Sequence, residues 1–275
     1  MPELPEVETT RRGIATIMPG HVLKKFQVHE PRMRWPVPSN LEQTVSGHEV
    51  LSCERRGKYL LINFAHGTQI IHLGMSGSLR RASPDEPRRK HDHAEWIFDH
   101  ARFLLHDPRR FGAILWHDNT DGPLASHTLL ANLGIEPFDP LFTPDYLHKH
   151  LQGKTQAIKQ ALLAGNIVVG VGNIYASESL FRARINPRAA AGTISLERCR
   201  RLAVAIRQTL SEALESGGST LRDYVNATGE PGAYFDIYAA VYEKANRPCS
   251  VCATPIRRIV QGQRATYYCP KCQRR

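Results

Sequence analysis

Three features are scarce or missing in this sequence: long apolar runs, an apolar leader, and acidic residues near its end. No stretch of the 275 residues approaches the roughly 20 consecutive apolar residues of a membrane-spanning helix. The first ten residues, MPELPEVETT, are acidic and have no apolar core, so the sequence predicts no secretory signal. We therefore expect a cytoplasmic protein that has no membrane partner.

Positive charge dominates the composition. The chain has 36 Lys and Arg residues against 26 Asp and Glu residues, a formal net charge of +10. Residues 246–275 contain seven Lys or Arg and no acidic residue, and shorter basic runs lie at 87–91 and 109–110. Such an excess favours a polyanionic partner, although a basic surface without any ligand would give the same composition. None of these runs has the amphipathic helical pattern that membrane-surface binding prefers.

The apolar pattern changes along the chain. Before about residue 130, short apolar runs separated by Gly, Pro and Asp predict several strands and hence a sandwich or barrel. Beyond residue 144 the period becomes helical, and Gly217-Gly218 marks a helix end. The predicted strands cover 58–64, 68–73, 96–98, 102–105 and 113–116. The predicted helices cover 7–17, 144–151, 157–163, 173–181 and 195–214.

Four of the six cysteines form two C-x2-C pairs separated by 16 residues: Cys249, Cys252, Cys269 and Cys272. This spacing is typical of a zinc ribbon, in which each pair presents two sulfurs to one ion. A segment of about 30 residues cannot bury enough core to fold alone, so the metal would have a structural role. Cys53 and Cys199 are expected to be ordinary thiols. The sequence therefore predicts one structural Zn²⁺ in a reducing compartment.

Basic side chains lie between the two cysteine pairs. Arg257, Arg258 and Arg264 would sit on a rigid hairpin, where guanidinium groups suit phosphates. A ribbon that merely fastens the chain terminus would have the same cysteines. The absence of acidic residues in this segment favours contact with DNA.

Pro2 has a chemical use if Met1 is removed, because its nitrogen would then be a free secondary amine. An α-amine has a pKa of about 8, so a sizeable fraction is unprotonated near neutral pH. Attack of a secondary amine on a sugar C1′ gives an iminium directly. Glu3 and Glu6 are close enough in sequence to move protons. A Met-Pro start without any chemical role would look the same.

Several segments together resemble the bacterial formamidopyrimidine-DNA glycosylases. The resemblance covers the whole chain, and its segments are ordered as in that family. They are MPELPEVETTRRG (1–13), RGKYL (56–60), HLGMSGSL (72–79), KHDH (90–93), DPRRFG (107–112), VGVGNIYASE (169–178) and QRATYYCPKC (263–272). The resemblance implies an α+β multidomain protein with an N-terminal β-sandwich over 1–130, a helix–two-turn–helix domain over 131–235 and a C-terminal zinc ribbon over 236–275.

The resemblance also implies an activity: excision of oxidised purines, 8-oxoguanine or formamidopyrimidine, from duplex DNA, followed by β- and δ-elimination. Pro2 would form the Schiff base, with Glu3 as the adjacent acid or base. Lys58 would assist elimination. Arg264 would donate a proton in the second elimination.

The other implied residues face DNA. Asn173 and Arg264 would clamp the phosphate at the lesion, and His72 would help to hold a phosphate. Met75, Arg109 and Phe111 would fill the void that the everted base leaves, because a base must leave the stack before its glycosidic bond can be attacked. The expected backbone or lesion contacts are His91, Arg110 and Lys159. The expected partner is damaged double-stranded DNA, bound by a monomer.

Two segments do not follow from the family resemblance, and two alternative functions stay open. Residues 243–248, before the first zinc cysteine, lack the glycine-bearing tract expected there, and the lesion-capping loop near 217–235 cannot be derived from the pattern. An enzyme of the endonuclease VIII type would use the same nucleophile on oxidised pyrimidines, although the start ELPEVE favours the purine branch. A non-catalytic zinc-ribbon DNA-binding protein would explain the charge and the cysteines but would leave Pro2, Glu3, Lys58 and Asn173 without a role.

Overall fold

The computed structural model describes residues 2–219 and 232–274. The chain divides into two compact units. The first unit comprises Met1–Ala131 and Ser216–Ala233, and the second comprises Asn132–Glu215 and Tyr234–Arg275. Within the described ranges, none of the helices combines the length and apolar character needed to cross a membrane.

The described residues contain seven α-helices and twelve strands, together with short 3-10 turns. The helices are α1 Leu4–Ala15, α2 Leu41–Val45, α3 Pro144–Leu151, α4 Ile158–Leu163, α5 Asn173–Arg182, α6 Leu196–Glu215 and α7 Tyr234–Tyr238. The strands are β1 His21–Val22, β2 Lys25–Val28, β3 Glu49–Val50, β4 Ser52–Arg56, β5 Tyr59–Phe64, β6 Gly67–His72, β7 Ser78–Ala82, β8 Asp92–Ile97, β9 Arg102–His106, β10 Ala113–Asp118, β11 Arg257–Gln261 and β12 Arg264–Tyr268.

Two four-stranded antiparallel sheets form the first unit. Their strand orders are β10-β6-β5-β4 and β2-β8-β9-β7, and β1 pairs with β3 in a separate ribbon. Buried apolar residues of both sheets make one core, which includes Trp96 and Phe103 from one sheet and Ile62 and Ile71 from the other. The indole N–H of Trp96 donates to Gln69 Oε1 at 2.8 Å and so links the two sheets. The predicted alternative of sandwich or barrel is thereby resolved as a two-sheet sandwich.

Helix α1 begins earlier than the sequence pattern predicts. It runs from Leu4 to Ala15 instead of from residue 7 to 17, because Glu3 is its N-cap and Pro5 lies in its first turn. Proline is well tolerated there, since the first-turn N–H groups have no intrahelical partner. Val7 and Ile14 pack into the sandwich core, so the helix closes one side of it.

The second unit is built from helices α3 to α7 and the β11–β12 hairpin. Helix α3 has a well-defined start, because the Thr143 side chain accepts the N–H of Tyr146 at 3.1 Å and Pro144 follows the cap. Helix α6 is the longest at 20 residues, and its buried face includes Leu202, Ile206 and Leu210. Helix α5 packs against both α6 and strand β12. The start of α5 therefore lies beside the hairpin.

Candidate active site and nucleic-acid interface

The N-terminal turn is buried and held by its own backbone. Pro2 is buried, and Glu3 has only 1% of its surface exposed. Glu3 and Glu6 form a reciprocal capping box, in which each carboxylate accepts the backbone N–H of the other residue. The N–H of Glu3 donates to Glu6 Oε2 at 2.7 Å. These bonds hold the residue that follows Pro2 in one conformation and place a second carboxyl group one turn away.

The second oxygen of Glu6 reaches another part of the first unit. Glu6 Oε1 accepts the backbone N–H of Ser219 at 2.7 Å. Gly218 passes so close that a Cβ there would lie 3.0 Å from the same oxygen, and its φ of +88° favours glycine. Glu6 thus links the N-terminal turn to the segment that leads into residue 220. Most of the predicted lesion-capping loop, residues 220–231, lies outside the described residues.

Lys58 lies at the turn between β4 and β5, beside the end of β6. The turn is tight, because Arg56 pairs with Tyr59 and only Gly57 and Lys58 connect the strands; Gly57 has a φ of +57°. Tyr59 in turn pairs with His72, so the predicted phosphate-binding histidine ends the neighbouring strand. The sheet therefore brings Lys58 and His72 together.

His72 is held in its neutral form. Burial, together with the positive charges of Lys58 and Arg34, lowers the pKa of His72 to about 4. Its Nδ1 accepts the backbone N–H of Gly74 at 3.1 Å, so the proton of the neutral ring is on Nε2. His72 can therefore offer a phosphate one N–H donor but no positive charge near neutral pH.

The three predicted void-filling side chains lie on two neighbouring loops of the first unit. Met75 is in the loop between β6 and β7 and is 37% exposed. Arg109 and Phe111 are in the loop between β9 and β10, where the Arg109 guanidinium lies 5.0 Å from the centre of the Phe111 ring. Phe111 is 44% exposed, so it is not a core strand residue. The structure thus presents all three side chains to solvent.

His91 and Arg110 border the same loops. His91 is partly buried, and its carbonyl accepts the N–H of Asp107 at 2.9 Å. Arg110 has a φ of +53° and an exposed guanidinium, 3.4 Å from the carboxylate of Glu30. The loop 107–112 thus carries three of the predicted DNA-facing residues and is hydrogen-bonded to a fourth, His91.

In the second unit, Asn173 begins helix α5, with Gly172 as its N-cap. Its amide nitrogen donates to the carbonyl of Ala265 at 3.0 Å and to the hydroxyl of Tyr242 at 3.1 Å. Its buried Oδ1 has no hydrogen-bond partner within residues 2–219 and 232–274. Ala265 follows Arg264, whose side chain is exposed on the hairpin. Asn173 therefore fixes the backbone next to Arg264 beside a helix N-terminus, an arrangement that suits phosphate.

Lys159 is the one predicted DNA contact that is fully enclosed. It has no exposed surface, and its ammonium group donates to Thr266 Oγ1 at 2.9 Å and to the carbonyl of Ala265 at 3.2 Å. A residue 106 positions before Ala265 thus binds the same carbonyl as Asn173. Any effect of Lys159 on DNA would act through the hairpin, because the ammonium itself does not reach the surface.

Sequence reasoning missed Glu178. This residue is fully buried on α5, and its carboxylate accepts the backbone N–H groups of Ala240, Val241 and Tyr242 at 2.8 to 3.0 Å. Burial raises the pKa of Glu178, and the three N–H donors oppose that shift. Glu178 therefore holds the segment that leads to the zinc cysteines. Its place within the sequence VGVGNIYASE was the only signal available.

The four clustered cysteines come together at one end of the hairpin. Their sulfurs all lie within 4.8 Å of one another, with Cys249 and Cys272 Sγ atoms 3.9 Å apart and Cys252 and Cys269 Sγ atoms 3.4 Å apart. A tetrahedron with Zn–S bonds of about 2.3 Å has edges of about 3.8 Å. The four thiolates thus fit one structural zinc ion, as the spacing predicts.

The fold and these sites define the class: a multidomain α+β protein that ends in a zinc finger. Three family models match the chain in order. They are the formamidopyrimidine-DNA glycosylase N-terminal domain over residues 1–114, the H2TH domain of the same glycosylases over 133–225, and a zinc finger found in FPG and IleRS over 247–275.

Known proteins agree with these models over full length. The formamidopyrimidine-DNA glycosylase of Bordetella pertussis is 67% identical over 275 residues, covering 100% of both chains. A Lactococcus lactis FPG variant bound to DNA containing Fapy-dG is 32% identical, with a TM-score of 0.92 and full coverage of both chains. The wild-type L. lactis protein bound to DNA with an oxidised pyrimidine has a TM-score of 0.90 at 32% identity and equal coverage. The chain belongs to the formamidopyrimidine-DNA glycosylase family.

Proposed function

We propose that this protein is a base-excision repair enzyme that removes oxidised purines from duplex DNA and then cleaves the strand. The observation that carries the proposal is the buried N-terminal turn, in which Glu3 and Glu6 fix each other's backbone directly after Pro2. A structural helix start needs no proline nitrogen at its head and no two buried carboxyl groups beside it. The Fapy-dG DNA bound by the L. lactis relative supports the lesion class.

In the first step the Pro2 nitrogen, freed by loss of Met1, attacks C1′ of the damaged nucleotide. The N–C1′ bond forms, the glycosidic bond breaks, and the base leaves with the bonding electrons and a proton. Opening of the sugar ring then gives an iminium. Glu3 is placed one residue from the nitrogen and would carry the proton involved.

The next two steps break the two C–O bonds to phosphate. Loss of a C2′ proton expels the 3′-phosphate oxygen, and a second elimination expels the 5′-phosphate oxygen. Lys58 would assist the first of these, and Arg264 would donate a proton in the second. Both steps depend on the iminium as electron acceptor, so the proposed route needs no redox cofactor.

DNA would be held by groups that the two units present separately. In the first unit these are the neutral donor His72, the side chains Met75, Arg109 and Phe111, and the neighbours His91 and Arg110. In the second unit Asn173 and Arg264 would bind phosphate, and Lys159 would support them through Ala265. Zinc, when bound by the four cysteines, would keep the hairpin folded and supply no chemistry.

We also propose the three-domain division 1–130, 131–235 and 236–275. The three family-model matches, 1–114, 133–225 and 247–275, support it. Helices α3 to α7 and the hairpin belong to one compact unit, so we expect the second and third domains to unfold together. Limited proteolysis with mass spectrometry would locate the cleavable boundaries.

We further propose a monomer that acts on the nucleoid in the cytoplasm. The four zinc thiolates and the two buried free thiols, Cys53 and Cys199, suit a reducing compartment. Light scattering of the zinc-loaded protein, with and without a duplex, would test the oligomeric state.

A preference for oxidised pyrimidines is the second candidate. The observation that favours it is the oxidised-pyrimidine DNA bound by the wild-type L. lactis relative. Excision rates on duplexes that differ only in the lesion, 8-oxoguanine or an oxidised pyrimidine, would separate the two candidates. We expect the purine duplex to be cleaved faster.

The decisive experiment is borohydride trapping on a duplex with 8-oxoguanine opposite cytosine. It compares the wild-type protein with Pro2→Gly and with a form that retains Met1. We expect a covalent adduct from the wild-type protein and none when Met1 is retained, because the proline nitrogen is then an amide. If the processed, zinc-loaded protein gives no adduct, the lyase function is wrong and a non-catalytic DNA-binding protein becomes the better explanation.

A further inference from the structure

Two loops that carry the exposed side chains Met75, Arg109 and Phe111 are packed backbone against backbone. A Cβ on Gly74 would lie 2.4 Å from the nitrogen of Gly112 and 2.5 Å from the carbonyl carbon of Phe111. Real Cβ atoms do not approach other atoms so closely, so only glycine permits this contact. The loop 73–77 and the loop 107–112 therefore cannot move far independently without losing it.

One buried carboxylate joins the same two loops. Asp107 has no exposed surface, and its two carboxylate oxygens bind different loops. Oδ2 accepts the N–H of Gly112 at 2.7 Å, within its own loop. Oδ1 accepts the hydroxyl of Ser76 at 3.3 Å, in the other loop, one residue after Met75. The backbone N–H of Asp107 also donates to the carbonyl of His91 at 2.9 Å.

Burial of the Asp107 carboxylate is not expected to stabilise the fold. In residues 2–219 and 232–274 no ion pair reaches Asp107, and it lies fully buried at the end of strand β9. Burying a carboxylate without a cationic partner is costly, and a shape-matched apolar residue would usually be less so. Its bonds to two loops that present solvent-exposed side chains give a reason for its presence other than stability.

We propose that Asp107 is a positioning residue that couples the two loops, so that Met75, Arg109 and Phe111 enter the duplex as one preorganised wedge. The inference rests on the proposed function. Insertion at a flipped base requires several side chains to reach the gap together. Holding them in place before binding reduces the ordering cost that would otherwise be incurred in the complex. Asp107 itself touches neither DNA nor the reacting atoms.

The variants follow from the hydrogen bonds. Asp107→Ala removes both bonds. Asp107→Asn keeps an acceptor for Gly112 and offers the Ser76 hydroxyl a donor, and so preserves the geometry without the charge. Ser76→Ala removes the bond between the loops alone. Leu104→Ala, on strand β9 three residues before Asp107, is the control for lost stability, since Leu104 pairs with Arg80 and Glu95 and lies in neither loop.

Each variant is compared on two substrates. One is a duplex with 8-oxoguanine and a fluorescent base analogue beside the lesion, which reports insertion and excision. The other is a single-stranded oligonucleotide with an abasic site, on which borohydride trapping needs no wedge. We expect Asp107→Ala to slow duplex excision and insertion by roughly tenfold, as loss of a hydrogen bond to a charged group does, and Ser76→Ala to slow both by less. Asp107→Asn and Leu104→Ala should match the wild type on the duplex, and all forms should trap alike on the single strand.

Either of two results would overturn the inference. One is wild-type excision and insertion by Asp107→Ala. The other is an Asp107→Asn variant as slow as Asp107→Ala, which would assign the effect to the charge and not to loop positioning. A wild-type protein that traps neither substrate would instead count against the proposed function.

Discussion

At the scale of single residues, the site depends on side chains that bind backbone. Glu6 accepts the N–H groups of Glu3 and Ser219, among other interactions, and it is 2% exposed. A carboxylate with two such donors is held in one rotamer, and each donor would be left unsatisfied without it. The nitrogen proposed as nucleophile thus takes its position from a residue four places along the chain.

Replacing Glu6 tests this dependence. Glu6→Gln keeps the shape but turns an N–H₂ group toward one backbone N–H, so we expect a loss of stability of about 1–3 kcal/mol. Trapping on abasic DNA should fall with it, since the N-terminal turn would lose its fixed conformation. Urea unfolding and the trapping yield measure the two effects. Glu54→Gln, on the exposed side of β4, is the matched control and should change neither. Equal behaviour of both variants would show that the capping box is dispensable.

His72 makes a prediction about pH. Its folded pKa of about 4 lies below the ordinary value of 6.5, so the unfolded chain binds more protons between these values. The stability that this histidine contributes is therefore complete above about pH 6.5 and is lost as the pH falls towards 4. The difference in Tm between the wild type and His72→Gln, which retains an N–H donor, should shrink over that interval. A difference that stays constant from pH 7 to pH 4.5 would contradict the neutral, buried state of the ring.

At the scale of elements, the β11–β12 hairpin is joined to the helices at one carbonyl. Lys159 at the start of α4 and Asn173 at the start of α5 both donate to Ala265, which adjoins Arg264. Two helix starts thus converge on the residue next to a predicted phosphate ligand. The position of Arg264 depends on these helices as well as on the zinc site.

Lys159→Met removes the ammonium group but keeps most of the side-chain volume. We expect zinc binding to persist, because the ammonium of Lys159 donates to Ala265 and Thr266, whereas the four cysteines hold the ion. Amide exchange along β12 should accelerate and affinity for a lesion duplex should drop by roughly tenfold, since Thr266 loses the ammonium donor and the Ala265 carbonyl keeps only that of Asn173. Lys149→Met removes the same charge from an exposed position on α3 and serves as control. If both variants bind DNA equally well, the hairpin does not depend on Lys159.

The elements that the sequence predicts well are those with local signals. Helix α3 matches its predicted range, because Thr143 caps it and Pro144 opens it. The start of α1 was misplaced by three residues, since a glutamate in a capping box is a weaker cap signal than serine or threonine. The short strands β1 and β3 have only two residues each, too few for any periodicity.

Partners far apart in the chain could not be derived in the same way. The cysteines were found because C-x2-C spacing is a local pattern. Three sets of contacts join residues that are 31 to 107 positions apart in the chain. They are the bond from Lys159 to Thr266, the bond from Ser76 to Asp107, and the bonds from three backbone amides to Glu178. Only folding brings these groups together, so residue type and spacing carry no record of them.

At the scale of the whole molecule, the thiols provide a measure of folding in each part. Burial raises the pKa of Cys53 to about 12 and that of Cys199 to about 11, so both remain protonated and unreactive. We expect no thiol of the zinc-loaded protein to react with a disulfide reagent, four to react after chelation, and the last two only after unfolding. DNA binding should be lost at the second stage. A variant that lacks Cys53 and Cys199 should have four reactive thiols in total. If all six thiols of the wild type react directly after chelation, the core is not stable without zinc.

The backbone hydrogen bonds to Glu178 limit which sequence changes relatives can accept in residues 240–242. Its carboxylate binds the peptide N–H groups of Ala240, Val241 and Tyr242, and every residue type except proline supplies such a group. The path of the backbone into the zinc finger can therefore stay the same among relatives while the residue types along it change. An alignment of this stretch would record its constraint chiefly as a position where proline never occurs.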